Sequence, residues 1–192
     1  LVFVSLAAWC FLHSWLAAFS TKKLARRIFG EGIHRYYRLI FVGIALLTLL
    51  PILAMLVLLP ARRLWVIPSP WVYFTIIIQF MALFGLILIV LKTDPMIFIG
   101  LRQISNPNVE RGREMVTTGF YGLVRHPLYL LSMILMWLFP YMTDLILVFV
   151  IVSTLYMFIG TIPEEQKLVE IHGEDYERYQ EQVPRIIPGL KF

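Results

Sequence analysis

The sequence has one cysteine and few charged residues. Cys10 alone among 192 residues leaves no partner for an intrachain disulfide and no thiolate cluster for a metal. Charged residues make up only 15% of the chain, whereas hydrophobic residues make up 59% and the mean hydropathy is +0.78. This composition is not that of a water-soluble globule. It indicates a polytopic membrane protein, with one compact domain over residues 1–192.

The familiar nucleotide-binding and hydrolytic motifs are missing as well. The sequence has no G-x-x-x-x-G-K-[ST] loop, no H-E-x-x-H, no G-x-S-x-G and no G-x-G-x-x-G after a strand. P-loop, zincin and hydrolase functions therefore find no support, and no residue is predicted to bind a metal. Any nucleotide cofactor is expected in a site outside a Rossmann fold.

Apolar segments predict membrane-spanning helices. Three of them have about 20 residues each, enough to cross a hydrocarbon core of roughly 30 Å: 1–19, 39–59 and 71–91. Pro51 in the second predicts a kink that neighbouring helices must accommodate. Within the first span lies His13, and an ionisable residue there is a functional hypothesis by default. We favour the simpler interpretation, a neutral imidazole bonded to a serine or a backbone carbonyl.

The last apolar stretch, residues 128–162, is too long for a single span. As one helix it would measure about 52 Å, well beyond the hydrocarbon core. Pro140 and Asp144 lie in its middle and predict a turn. The stretch therefore divides into a hairpin with arms at 128–141 and 145–162. The predicted fold is all-α, with five transmembrane helices.

The positive charges fall mostly on one side of this arrangement. With the amino terminus outside, 15 of the 17 Lys and Arg lie in the loop at 20–38, the connector at 92–127 and the tail at 165–192. We therefore expect a multi-pass protein with its carboxyl terminus in the cytoplasm. The net charge of +5 is assigned to contact with anionic membrane lipids, and no nucleic acid is expected.

The most distinctive run is G-x-Y-x-x-x-R-H-P-x-Y, at residues 119–129. Pro127 in the first turn of a helix leaves Arg125 and His126 extended beside the positive end of that helix. A polar or anionic ligand is favoured in such a place. The alternative is that Arg125 and His126 anchor the helix at lipid headgroups, and the spacing leaves both possibilities open.

Two carboxylates, Glu164 and Glu165, follow Pro163 at the end of the second hairpin arm. The hairpin returns them to the layer that contains Arg125. Adjacent helix positions point about 100° apart, so only one carboxylate faces inward. It accepts hydrogen bonds from ribose hydroxyls or balances a cationic ligand. The alternative is an ion pair with Lys167 or Arg125, together with a solvated partner.

The tail predicts a cytoplasmic amphipathic helix over the same layer. Apolar residues recur at helical spacing from Glu165 to about Gln182, and Val183-Pro184 ends the pattern.

Together these motifs resemble the isoprenylcysteine carboxyl methyltransferases and their prokaryotic relatives. The similarity covers the carboxyl-terminal half, in five ordered motifs: Met115-Val116 with Gly119-x-Tyr121, Arg125-His126-Pro127-x-Tyr129, Glu164-Glu165-x-x-Leu168, Gly173-Glu174-x-Tyr176-x-x-Tyr179 and Val183-Pro184. The segments at 13–17 and 35–39 also look like the relatives that methylate small thiols. Length and span number are similar to those of prokaryotic members.

The resemblance implies S-adenosylmethionine-dependent methyl transfer to a lipophilic carboxylate or thiol, with S-adenosylhomocysteine as product. It implies catalytic roles for Arg125 and His126. The cofactor-binding residues that it implies are Arg113, Met115, Val116, Tyr121, His126, Pro127, Leu128, Tyr129, Glu164 and Glu165. A small-molecule or lipidated acceptor would enter from the bilayer, while the tail closes the pocket from the cytosol.

One departure narrows the acceptor. Eukaryotic members of the family carry an arginine about one turn before the glutamate pair, where Gly160 stands here, which argues against prenylcysteine. Two other functions remain as alternatives: an NADPH-dependent sterol-reductase-like enzyme, and a non-enzymatic membrane carrier of a small molecule. Pro127 and the Glu164-Glu165 pair favour the methyltransferase.

Overall fold

The computed structural model describes residues 1–107, 109 and 115–190. These residues are mostly helical, as predicted. In chain order the elements are α1 (Val2–Ala17), α2 (Phe19–Phe29), α3 (Ile33–Leu58), β1 (Arg63–Val66), α4 (Trp71–Lys92), α5 (Pro95–Ile99), α6 (Arg102–Ser105), α7 (Phe120–Leu123), α8 (Pro127–Trp137), β2 (Tyr141–Thr143), α9 (Asp144–His172) and α10 (Glu174–Gln182).

The long apolar helices make this a multi-pass membrane protein. Within the described part of the chain, α3, α4 and α9 are long and apolar enough to cross a bilayer. Helices α1 and α2 meet the same test only as a pair, and that pair is bent by 65°. Helix α8 has 11 residues, about 16 Å at 1.5 Å per residue, which is short of the hydrocarbon core. The count of five spans and the orientation of the termini stay predictions.

The chain forms two compact units, each built from separate segments. Unit 1 contains Leu1–Arg62, Val90–Arg113 and Thr143–Phe149. Unit 2 contains Arg63–Ile89, Glu114–Met142 and Val150–Phe192. The expectation of one domain over the whole chain stays a prediction. Every candidate site residue that the structure describes belongs to unit 2.

Unit 1 packs α1 against α3 through aromatic side chains. The Trp9 indole donates to the carbonyl of Ala45 over 3.0 Å, and the Tyr37 hydroxyl donates to the carbonyl of Leu16 over 2.7 Å. His13 lies between the rings of Trp9 and Phe41, with both ring centroids 4.9 Å away. Its surroundings are therefore aromatic, which agrees with a packing role.

The short helices after α4 pack closely on α3. Gly100 has φ +96°, and a Cβ added to it would lie 2.6 Å from the backbone nitrogen of Leu39. Only glycine permits both this conformation and this approach. Nearby, Arg38 donates from Nε to the carbonyl of Phe98 over 3.0 Å. Glycine therefore fixes how this segment meets α3.

The turn of the predicted hairpin contains a strand that the all-α prediction missed. Helix α8 ends at Trp137, not at Tyr141, and β2 pairs with β1 in a two-stranded sheet. The carbonyl of Pro140 accepts from the Ile67 amide over 2.9 Å. Pro140 disfavours a helical conformation at the residue before it, and the chain satisfies its polar groups through this sheet instead. The predicted arm at 128–141 was therefore wrong at its end.

The predicted tail helix over 165–182 was also wrong. Helix α9 continues through Pro163 to His172, and α10 begins only after Gly173, whose φ is +57°. Pro163 removes one helical hydrogen bond, to the carbonyl of Ile159, without ending the helix. Gly173 breaks it because an L-residue rarely adopts such a conformation. Glu164 and Glu165 consequently lie on the long helix itself.

In unit 2, α4 holds α8 in place. Ala82, Ile89 and Leu131 form a buried apolar cluster. A Cβ added to Gly85 would lie 2.9 Å from Leu131 Cδ1 and 3.2 Å from Phe120 Cζ. Glycine thus lets α8 approach α4 closely, just below the run that carries the candidate site.

We expect Gly85→Leu to destabilise the protein by about 1–3 kcal/mol, because a large side chain overpacks this contact. Gly43→Leu is the matched control, since Gly43 is also helical and a Cβ there meets nothing within 4 Å. The measurement is thermal unfolding of both purified variants in detergent. Equal melting temperatures for the two would contradict the close approach of α4 and α8.

Candidate active site

The candidate site begins where α8 starts. His126 precedes the helix with φ −119° and ψ 65°, outside the helical region, and Pro127 is the first helical residue. The amide of Arg125 donates to the carbonyl of Pro184 over 2.9 Å, and the amide of His126 donates to the carbonyl of Arg185 over 3.0 Å. Arg125 and His126 are therefore not helical, as expected, and they pair with the chain's tail.

Arg125 is bound almost completely by protein acceptors. Its Nε and Nη2 donate to the two carboxylate oxygens of Glu165 over 2.7 and 3.2 Å. Its Nη1 donates to the carbonyls of Gln180 and Val183 over 2.9 and 2.6 Å. A guanidinium has five N–H groups, so little of its donor capacity remains for a ligand. Arg125 joins α8, α9 and the tail.

Glu165 accepts hydrogen bonds from side chains in three parts of unit 2. Besides Arg125, its carboxylate accepts from Gln180 Nε2 at 3.0 Å and from Arg185 Nε at 3.1 Å. His126 Nε2 lies 3.1 Å from Glu165 Oε1. The side chain is only 4% exposed, and such burial is tolerable because two guanidinium groups neutralise the charge and saturate the oxygens. We call Glu165, Arg125, Arg185 and Gln180 the Glu165 cluster.

Glu164 faces a different environment from its neighbour. Its side chain is 47% exposed. It accepts a hydrogen bond from the Tyr129 hydroxyl over 2.9 Å and lies 3.6 Å from His126 Nδ1. The sequence left open whether one glutamate pairs with Arg125 while the other is solvated. The structure confirms that alternative, with Glu165 as the paired residue.

A cavity of about 60 Å³ opens beside these side chains. Its walls consist entirely of residues predicted as site residues from the sequence: Tyr121, Arg125, His126, Pro127, Leu128, Tyr129 and Glu164. The rings of His126 and Tyr129 stack with centroids 5.5 Å apart. Small-molecule sites usually measure roughly 300–1,000 Å³, so this cavity takes only part of a cofactor.

An aromatic cluster supports the site from the tail side. Tyr176, Tyr179 and Val183 pack together with Met115 against them. The Tyr179 hydroxyl donates to the carbonyl of Tyr121 over 2.6 Å. Burial raises the pKa of Tyr179 to about 12, so the phenol stays protonated and keeps this hydrogen bond at neutral pH.

Three predicted cofactor residues do not line the cavity. Met115 packs in the aromatic cluster, and Val116 is partly buried just after it. Glu165 is turned to its protein partners. Arg113 lies outside the described residues. Their predicted contacts with a cofactor stay predictions.

Sequence reasoning missed Gln180 and Arg185. Val183-Pro184 predicted only where the tail helix ends, and neither the amide nor the guanidinium matched a motif. Their role depends on tertiary folding of the tail against α9.

Curated relatives show what the chain is similar to. It is 47% identical over 74 residues to a methanethiol S-methyltransferase of Crocosphaera subtropica, covering 38% of this chain and 29% of that protein. It is 46% identical over 71 residues to the enzyme of Pseudomonas deceptionensis, covering 37% of this chain and 27% of that protein. A third match, from a Pseudomonas species, is 34% identical over 132 residues and covers 67% of this chain and 51% of that protein.

The chain is similar in sequence to methanethiol S-methyltransferases. This confirms the resemblance to prokaryotic relatives of the isoprenylcysteine carboxyl methyltransferases. The matches span about half or less of the length of these methanethiol S-methyltransferases. No family model matches the chain. No solved structure matches it either.

We expect Glu165→Gln to destabilise the protein by about 3 kcal/mol or more, because it leaves two guanidinium groups without a buried counter-charge. Glu164→Gln is the neighbouring control and should cost less than about 1 kcal/mol, since its carboxylate is half exposed and an amide still accepts from Tyr129. Thermal unfolding in detergent compares them. A smaller loss for Glu165→Gln than for Glu164→Gln would refute the arrangement of the Glu165 cluster.

Proposed function

We propose that this protein is a membrane methyltransferase that uses S-adenosylmethionine to methylate a small thiol. One observation carries the proposal. The cavity at the mouth of α8 is lined by the residues of the family motifs and has the half-exposed carboxylate of Glu164 in its wall. The homologues are named for methyl transfer to methanethiol, which favours a thiol over the carboxylate acceptors of the wider family.

The charges at the cavity suit a cationic cofactor. Glu165 pairs with both Arg125 and Arg185, and the acidic side chain in the cavity wall is that of Glu164. S-adenosylmethionine carries a sulfonium and an ammonium group, and Glu164 can attract either or accept from its ribose hydroxyls. The polyphosphate of NADPH would meet repulsion from the same carboxylate. This argues against the sterol-reductase-like alternative.

Residues around the cavity divide the binding task. We propose that Glu164 and Tyr129 hold polar groups of the cofactor, while Tyr121 and Leu128 contact its apolar surfaces. The part that exceeds the cavity of about 60 Å³ lies over the mouth, beside the segment that begins at Met115. When bound, S-adenosylmethionine supplies an electrophilic methyl group.

The protein contributes to such a reaction mainly by aligning the two reactants and by excluding water from the pocket. A thiolate and a sulfonium lose their charges together as the methyl group moves, so a low-dielectric pocket and correct alignment favour the transition state. His126 is 6% exposed at the cavity, which indicates that water is largely kept from this wall. The half-exposed Glu164 lies on the side of the cavity that is open to solvent.

Calorimetry with S-adenosylhomocysteine tests the proposal. We expect saturable binding by the wild-type protein and a loss of about 10- to 100-fold in affinity for Glu164→Gln, which removes a charged hydrogen-bond acceptor. Glu170→Gln is the matched control, because Glu170 is an exposed glutamate on the same helix. Its affinity should equal that of the wild type. Absence of saturable heat in the wild type, or equal affinities for all three proteins, would overturn the assignment of the cofactor.

A further inference from the structure

We propose that His126 is the base that deprotonates the thiol acceptor, through Nδ1, and that Glu165 makes this possible by fixing the imidazole tautomer. The inference rests on the proposed function, because it concerns the acceptor of the same reaction. It assigns separate tasks to the two adjacent glutamates. Glu165 positions the ring, and Glu164 stays with the cofactor.

The tautomer follows from the partners of Glu165. Among the described residues, the other side chains that contact its carboxylate do so through donors: the guanidinium groups of Arg125 and Arg185 and the amide nitrogen of Gln180. With two cations against it, Glu165 remains ionised and can only accept hydrogen bonds. His126 Nε2, 3.1 Å from Oε1, must therefore carry a hydrogen. In the neutral ring the lone pair then belongs to Nδ1.

The Nδ1 edge of the ring lies on the cavity side. Glu164 Oε2 lies 3.6 Å from Nδ1, which is beyond hydrogen-bond distance. Glu164 lines the cavity, whereas Glu165, on the Nε2 side, does not. Tyr129 stacks on the ring face and gives its hydroxyl to Glu164, so it does not occupy Nδ1. A donor in the cavity can thus reach this nitrogen.

A thiol needs such a base, whereas a carboxylate acceptor does not. Thiols have a pKa of about 8.5, and only the thiolate attacks efficiently. In the step that we propose, the S–H bond breaks, its electron pair stays on sulfur and the proton moves to His126 Nδ1. The acceptor sulfur then bonds to the methyl carbon as the carbon–sulfur bond of the sulfonium donor breaks, leaving a neutral thioether.

The surroundings also provide for release of the proton. The His126 ring lies between two carboxylates, Glu165 at 3.1 Å and Glu164 at 3.6 Å. Arg125 and Arg185 face Glu165 and moderate its field at the ring. Because Glu164 is half exposed, water at this side of the cavity can take the proton from Nδ1 and restore the neutral base.

The experiment compares acceptors of different acidity in His126→Asn. For an alkyl thiol, which is protonated at neutral pH, we expect the rate to fall about 10²- to 10⁴-fold. For an aromatic thiol that is already ionised at the assay pH, we expect a fall of less than about tenfold. Equal losses for both thiols would overturn the proposal, because a purely structural His126 affects every acceptor alike.

A second measurement needs neither turnover nor a stable variant. Nitrogen NMR of the wild-type protein labelled in histidine should show His126 with hydrogen on Nε2 and an unprotonated Nδ1. The His126 signal is assigned through its through-bond link to Pro127, or as the signal missing from His126→Asn. A ring with hydrogen on Nδ1 would refute the proposal. Binding of S-adenosylhomocysteine separates the two hypotheses. If the protein does not bind it, the proposed function is wrong. If the protein binds it but His126 carries its hydrogen on Nδ1, only the role of His126 as base is wrong.

Discussion

The structure of unit 2 depends on the neutralisation of one buried carboxylate. Glu165 accepts from Arg125, Arg185 and Gln180 and contacts His126, so it ties α8, α9 and the tail together at one point. Removing the carboxylate leaves the guanidinium groups without a counter-charge, and removing the guanidinium groups leaves the carboxylate buried without one. Such changes are among the costliest that a protein interior can undergo. The path of α9 past Pro163 follows from this constraint, because a helix that ended there would not deliver Glu165 to its partners.

The same neutralisation decides which charge a ligand meets. Because the cations of Arg125 and Arg185 are satisfied within the protein, the cavity presents a carboxylate, a phenol and an imidazole. In that set, Glu164 favours a positively charged group of a cofactor, and His126 favours a proton-bearing acceptor. Two glutamates adjacent in sequence thereby acquire different tasks, since the helix turns them about 100° apart.

The sequence predicted much of the fold and every described residue that lines the cavity, for identifiable reasons. Long apolar segments fix helices such as α3 and α4, and Pro127 fixes the start of α8, because these signals are local. Which of the two glutamates faces inward was not predictable, because helical periodicity gives the angle between their side chains but not their direction relative to the core. Gln180 and Arg185 were missed because their contacts arise only when the tail folds back. The strand pair β1–β2 and the continuation past Pro163 likewise depend on tertiary partners that outweigh local preference.

A structure determined with S-adenosylhomocysteine bound tests the central claim most directly. The account predicts the ligand at the mouth of α8, in contact with Glu164 and Tyr129, while Glu165 keeps Arg125 and Arg185 as its partners. A ligand bound away from this cavity, or held by Glu165 after release of its arginines, would contradict the account.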